Sequence, residues 1–563
     1  VRPDGVFIRT VSGLKRAEVL LRRLDADFCD PLELNARSQL GVPGLVQAVR
    51  DGHVTIANAL GAGIIEARAI LSFLPALAPS LIDRKLALPN LATWWLGDRD
   101  VRADILGRLD KVVIASAFQA ELPFLPDATQ VLGSSLDPAI RMLMADSIGR
   151  RGIDFVAQEA ATLSTMPAWH NGRLEPRPFI LRLFLARSGD GWTVMPGGFV
   201  RVADDIDTRA ISLQHGGRTA DAWILAEGPV SDTTMLPRPE RIAIRRASGT
   251  LPSRTADNLF WVGRYVERAE ATLRVVRALV NRAMESDDTA QPAIDKLCAL
   301  LGTWDAVPTD LPNAKPALLA AAALQRADLS GAVPSLVAGA RAAASVIRDR
   351  LSPDGWRAVT DLYDMTHVPL GPNADESVLI DRVQAALRIV ASFSGLAQEN
   401  MSQITGWRFL ELGRRIERTI ATCRFIQQFA YGPLADGGLD TLLELCDSQI
   451  TYRARYVMIA ARAPVIDLVA LDPENPRSLA YQVSRIETHL ATLPKENADS
   501  RLSPAEQIVI ALATTLRTSE PGALTSENFA QASQAMMSLA NHVAAAYFTL
   551  RDRLDTASPE VEP

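Results

Sequence analysis

Lysine is scarce in this chain of 563 residues. Of 59 basic residues, six are lysine (Lys15, Lys85, Lys111, Lys296, Lys315 and Lys495) and 53 are arginine. A GC-rich genome accounts for the general bias, but the shortage matters locally, because ATP-using enzymes usually place a lysine point charge on the phosphates. Cysteine is scarce too. Cys29, Cys298, Cys423 and Cys446 stand far apart, with no Cys-x-x-Cys and no Cys/His spacing suited to zinc. This excludes a disulfide framework and points to a reducing, cytoplasmic setting. No run approaches the ~18 apolar residues that span a bilayer, so no membrane partner is expected. A net charge of -6 excludes a strongly basic nucleic-acid binder. P-loop, GxSxG and HExxH motifs are absent, as is the Glu-x-x-His of ferritin-like di-iron centres. The first residues carry neither an initiating Met nor a signal-peptide pattern, and a strand-like run starts at Val6. The chain is therefore expected to begin inside a domain.

What is present is ample apolar content, 48% of residues, enough for sizeable cores. The first ~230 residues mix periods. Strand-like runs occur at Val6–Val11, Val54–Leu60, Lys111–Phe118 and Asp154–Glu159. A hairpin is expected to pair Phe179–Ala186 with Trp192–Ala203 about Ser188-Gly189-Asp190-Gly191. Apolar spacing between Gly13 and Leu24 reads as a helix. The segment 231–250, with two prolines and a charge cluster, reads as a linker. From 251 to 554 helical period prevails, and 555–563 is expected to be a disordered tail. The fold class is an α+β part over 1–230 followed by an all-α bundle.

The helical part repeats. Gly263-Arg264-Tyr265-Val266-Glu267-Arg268 matches Gly413-Arg414-Arg415-Ile416-Glu417-Arg418, and Ala271–Arg274 matches Ala421–Arg424, both at an offset of 150. The apolar stripe Leu259, Val262, Val266, Ala269, Leu273, Val276 shifts onto Phe409, Leu412, Ile416, Thr419, Cys423, Ile426. Its 3-4 spacing is a bundle seam, and two related helical units about a pseudo-two-fold axis would explain it. Glu267 and Glu417, with Arg264, Arg268, Arg414 and Arg418, admit three readings: a buried network holding the repeats together, solvated ion pairs, or a site for a metal or cationic ligand. Gly263 and Gly413 suggest close helix approach, since mid-helix glycine costs about 1 kcal/mol relative to alanine. Cys423, on the stripe, reads as a small core residue. His215 lies in a glycine-bearing loop that is either a plain turn or an anion nest.

Several segments resemble circularly permuted ATP-grasp proteins, which are related to glutathionylspermidine synthase-type ligases. They are Arg9–Leu34, Leu40–Gly63, Asp154–Thr165, Pro176–Phe184 and Val194–Ala203. Ser253–Arg274, Ile347–Trp356 and Leu471–Gln482 resemble the alpha-E helical domain that accompanies them. The resemblance implies ATP-dependent carboxylate–amine ligation through an acyl phosphate, with ATP and Mg²⁺ as cofactors. It makes Gln158 and Glu159 nucleotide-proximal, in DFVAQE, and puts Arg182 in the family's Leu-Arg-x-Phe strand. Gln214, Gly216, Gly217, Asp221 and Trp223 fall on the segment that the family writes SQGGGSKDTW, and Asn58, Gly61 and Gly63 on its Asn-Ala-x-Gly-x-Gly turn. Two departures stand out. Ala115 occupies the place of the family's phosphate-binding lysine, and the loop after it has no glycine. The family's metal-binding segment, an Asp followed by Glu-Asn-Arg, would lie N-terminal to Val1. The expectation is thus an incomplete or degenerate ligase. The alternative is a non-catalytic scaffold whose helical domain binds a partner ligase, transglutaminase-like protein or peptidase.

Overall fold

The computed structural model describes residues 1–549 except 120–121, 123–127, 129, 171, 190, 204–216, 230–250, 286–289, 309–314, 372–374, 433–436, 457–458 and 496–500. The expected linker and tail lie outside the described residues. The chain divides into two compact units, one of Val1–Val6 with Ala17–Ala243 and the other of Phe7–Arg16 with Ile244–Pro563. The hairpin Phe7–Arg16 thus packs with the second unit rather than with the residues that flank it in sequence.

That hairpin also corrects the helix expected over Gly13–Leu24. Strand β1 (Phe7–Thr10) pairs antiparallel with β2 (Gly13–Arg16). The reversal is set by Gly13 at φ +104°, a backbone conformation that glycine adopts without a Cβ penalty. The Thr10 hydroxyl donates to the Gly13 carbonyl at 2.7 Å. Val11, at the tip, is buried in the helical core and its N–H donates to the Leu251 carbonyl. Farther along, β3 (Val19–Leu21) pairs in parallel with β4 (Thr55–Ala57). The apolar positions 14, 17, 20, 21 and 24 fit a helix on paper, but glycine at 13 favours a turn, and pairing with β1 and β4 takes up the backbone groups.

In the first unit, helices α1 (Leu45–Arg50), α2 (Gly63–Glu66), α3 (Arg68–Leu71), α4 (Leu74–Ile82), α5 (Arg99–Leu106) and α6 (Pro138–Arg151) accompany two four-stranded sheets. One sheet has the order β5-β8-β6-β7, formed by β5 (Thr93–Trp95), β6 (Val112–Ser116), β7 (Gln130–Leu132) and β8 (Phe155–Glu159), all antiparallel. Asp98 and Asp137 cap α5 and α6, Asp98 accepting from the N–H groups of Asp100 and Val101 and Asp137 from that of Ala139. The second sheet has the order β14-β13-β10-β9. It consists of β9 (Thr165–His170), β10 (Arg173–Arg182), β13 (Gly198–Ala203) and β14 (Gly217–Ala222). Between β10 and β13 runs the expected hairpin, with β11 (Leu185–Ser188) paired to β12 (Gly191–Val194). Asp30, fully buried, accepts from the N–H groups of Leu32, Gly44 and Val46 and so anchors the entry to α1.

The second unit is helical. Its elements are α7 (Ser253–Met284), α8 (Gln291–Thr303), α9 (Pro316–Gln325), α10 (Val333–Val346), α11 (Pro353–His367), α12 (Glu376–Asn400), α13 (Thr405–Ala430), α14 (Gly438–Leu445), α15 (Gln449–Arg455), α16 (Arg462–Ile466), α17 (Leu479–Ala491), α18 (Pro504–Thr518) and α19 (Ser526–Tyr547). The central pair is α7 with α13. Helices α8, α9, α10 and α12 gather on α7, and α14, α17 and α19 on α13. The whole stripe predicted from the repeat is buried in this core, Cys423 included. No helix among the described residues is long and apolar enough to cross a membrane.

Candidate functional site

Side chains alternate across the β5-β8-β6-β7 sheet. One face carries Trp94, Phe155, Ala157, Val112 and Ile114 and packs on Ile105 of α5 and on Met144 and Ile148 of α6. The opposite face carries Thr93, Trp95, Val156, Gln158, Val113 and Ala115. Gln158 and Glu159 therefore point to opposite faces. Gln158 is half-buried and its Nε2 donates to Thr93 Oγ1 at 3.1 Å, while Glu159 is exposed.

Ala115 is fully buried in an apolar cluster with Ala69, Ala117, Val156 and Trp95. Helix α3 closes over it, the Ala69 N–H donating to the Ala117 carbonyl at 3.2 Å. A lysine at this position would have to bury its ammonium among apolar side chains, a cost met only by pairing. Lys111 is exposed at the turn before β6. Among the described residues no cluster of acidic, histidine or cysteine side chains could hold a metal ion. Thr93 and Gln158 offer polar groups, but the described residues of this sheet do not by themselves fit the phosphates and metal of Mg²⁺–ATP.

The other resemblance-derived residues fall elsewhere. Arg182 and Asp221 are both registered with Phe199, in one row across the second sheet. The exposed guanidinium of Arg182 lies 5.3 Å from the Phe184 ring centroid. Gly217 opens β14 opposite Ala203, and Trp223 is exposed just beyond that strand. Gln214, Gly216 and His215 lie outside the described residues. Asn58 and Gly61 adopt left-handed conformations, with φ +34° and +88°. Arg22 fastens this turn by donating to the Asn58 carbonyl at 2.8 Å, and Asn58 Nδ2 donates back to the Arg22 carbonyl. Gly63 begins a helix of only four residues, too short for a useful dipole.

The helical unit concentrates charge where α7 crosses α13. The backbones touch at two equivalent points. A Cβ on Gly263 would come within 2.2 Å of the Leu410 carbonyl, and a Cβ on Gly413 within 2.2 Å of the Phe260 carbonyl. Each contact maps onto the other under the 150-residue offset. About this crossing the ion pairs are reciprocal. Arg264 Nε donates to Glu417 Oε1 at 2.6 Å, and Arg268 Nη2 lies 2.9 Å from the same oxygen. Arg418 donates through Nε and Nη2 to the two oxygens of Glu267 at 2.5 and 2.8 Å, with Arg414 Nε at 3.7 Å. Both glutamates are buried, 3% and 6% exposed, so neither forms a merely solvated pair.

The network extends to residues that the repeat did not single out. Glu411 accepts from Arg414 and Arg415, each at 2.7 Å. Burial alone would raise its carboxyl, but these two guanidiniums hold it down at about 2. Glu270 accepts from Arg274 at 2.8 Å, Arg477 at 2.6 Å and Arg418 at 3.3 Å. Burial again opposes ionisation, and Arg477, Arg418 and Arg274 together hold Glu270 well below the carboxylate range. Asp447 closes the far side, 2.6 Å from Arg274. The polar segment Leu471–Gln482 feeds this cluster, with Arg477 reaching Glu270 and Gln482 accepting from Arg415.

Comparison with known proteins now bears on this geometry. Residues 251–548 match a family described as Alpha-E, a predicted alpha-helical domain with a conserved ER motif. The chain belongs to the Alpha-E family. Within the matched Alpha-E span, Glu-Arg dipeptides occur at 267–268 and 417–418, the two sides of the crossing described above. Residues 1–203 match circularly permuted ATP-grasp type 2, so the Alpha-E domain here follows an ATP-grasp part. The uncharacterized protein Rv2567 of Mycobacterium tuberculosis is 30% identical over 555 residues, covering 92% of this chain and 60% of that protein. The uncharacterized protein Rv2411c of the same organism is 32% identical over 230 residues, covering 40% of each chain. An uncharacterized protein of Synechocystis sp. is 32% identical over 223 residues, covering 39% of this chain and 45% of its own. The chain thus spans 60% of the length of the long mycobacterial relative.

Proposed function

We propose that this protein serves ATP-dependent carboxylate–amine ligation as a binding scaffold, and that its β5-β8-β6-β7 sheet does not itself grip nucleotide phosphates. The ATP-grasp match supports an ATP-dependent ligase-like function at the level of the family. One observation carries the narrower reading: Ala115, which the resemblance puts in the place of the phosphate-binding lysine, sits fully buried in an apolar cluster beneath α3. A phosphate there would meet methyl groups and an indole. The helical unit, by contrast, holds an arginine-rich network at the α7–α13 crossing, beside a cavity that could take a substrate. The presence of an Alpha-E domain after an ATP-grasp part in this chain supports a role beside a ligase, and we propose a transglutaminase-like protein or a peptidase as a further partner.

A second reading, an ATP-binding ligase, is favoured by Gln158 and Thr93, which put a hydrogen-bonded polar pair on the same sheet face. Calorimetric titration of ATP into the protein, with and without Mg²⁺, separates the two. The scaffold reading predicts no Mg²⁺-dependent saturable heat, and micromolar Mg²⁺-dependent binding would overturn it.

A further inference from the structure

The two repeats carry equivalent cavities beside the α7–α13 crossing, and they have diverged. On one side the cavity is almost filled, with about 20 Å³ left among Glu267, Glu270, Arg274, Arg418 and Arg477. Glu270 occupies it as a tethered anion, accepting from three arginines. On the other side a half-open cavity of about 260 Å³ remains, lined by Arg264, Arg268, Arg424, Glu417, Trp304 and Ile420 among others. The 150-residue offset maps Arg274 onto Arg424 and Glu270 onto Ile420. The open side thus carries the arginine without the carboxylate that satisfies its counterpart.

The charges do not balance there. Three guanidiniums face one carboxylate among the lining side chains. Glu417 is already engaged by Arg264 and Arg268. Among the described residues no hydrogen bond or ion pair reaches Arg424, which is half-buried. Arg264, Arg268 and Arg424 in one lining fit an oxyanion, which takes two parallel N–H bonds from an arginine. The modest volume suits a small molecule.

We infer that this cavity binds a small organic oxyanion, a carboxylate or a phosphate, whose charged group takes on Arg424 the place that Glu270 takes on Arg274. The inference rests on the helical unit alone and stands whether or not the N-terminal sheet binds ATP.

The test uses the full chain with two probes, inorganic phosphate and glutarate, titrated by calorimetry at low ionic strength and followed by melting temperature. At least one probe is expected to bind saturably and raise the melting temperature. A response to phosphate assigns a tetrahedral oxyanion, and a response to glutarate a carboxylate. Arg424→Gln should weaken binding tenfold or more. Ile420→Glu should do the same by supplying the missing tethered anion, while melting no lower than the parent. Ile420→Val, which keeps the cavity apolar, should bind as the parent does. No saturable binding of either probe would overturn the inference, and so would undiminished binding in a folded Ile420→Glu protein.

Discussion

Glu267 and His489 are two buried polar side chains of the helical unit, one held by an ion pair and the other packed without one. Glu267 holds Arg418 by both oxygens, so Glu267→Ala leaves the buried guanidinium only its longer contact to Glu270. Removing one member of such a pair costs roughly 3–5 kcal/mol, and chemical denaturation of the variant should show a loss of that size. His489, 2% exposed, is kept neutral. Burial is the main cause, Glu411 opposes it, Arg485, Arg408 and Arg415 reinforce it, and the imidazole is pushed down to about 4. Trp407 meets the ring edge-on. The unfolded chain therefore binds a proton that the folded chain refuses between pH 6.5 and pH 4. Stability from this group is complete above about pH 6.5 and falls as the pH drops toward 4, by roughly 3 kcal/mol in all. His489→Leu should flatten the pH dependence of the melting temperature in that window, and an unchanged slope would contradict the assignment.

The α7–α13 crossing is the element on which the helical unit depends, and glycine decides it. Gly413→Ala gains about 1 kcal/mol of helix propensity, but its Cβ would stand 2.2 Å from the Phe260 carbonyl. Overpacking of this kind costs 1–3 kcal/mol or about that, and here the obstacle is backbone, so the clash wins and the melting temperature should fall. Gly395→Ala in α12, where an added Cβ meets nothing within 4 Å, should raise it. Much of this crossing was legible in the sequence, because Gly-Arg-x-x-Glu-Arg occurs twice at one offset on matching apolar stripes. The loss of Glu270 at Ile420 was legible by the same arithmetic. Arg477 and Asp447 were not, since only tertiary folding brings them to α7. The hairpin at Phe7–Arg16 was misread because five apolar positions satisfy helical spacing, and nothing local reveals that Val11 belongs in a core built mainly from residues beyond 251.

For the whole molecule, family and fold class were readable from motifs spread over both units. The function was less so, because it depends on what surrounds one alanine. The central claim is that the ATP-grasp sheet does not hold nucleotide phosphates and that oxyanion binding resides in the helical unit. ATP is itself an oxyanion, so the deciding measurement is a calorimetric titration of ATP with and without Mg²⁺ into the parent protein and the Ile420→Glu variant. The account predicts no Mg²⁺-dependent binding in either protein, with any weak Mg²⁺-independent heat in the parent lost in Ile420→Glu. Micromolar, Mg²⁺-dependent binding that survives Ile420→Glu would contradict it.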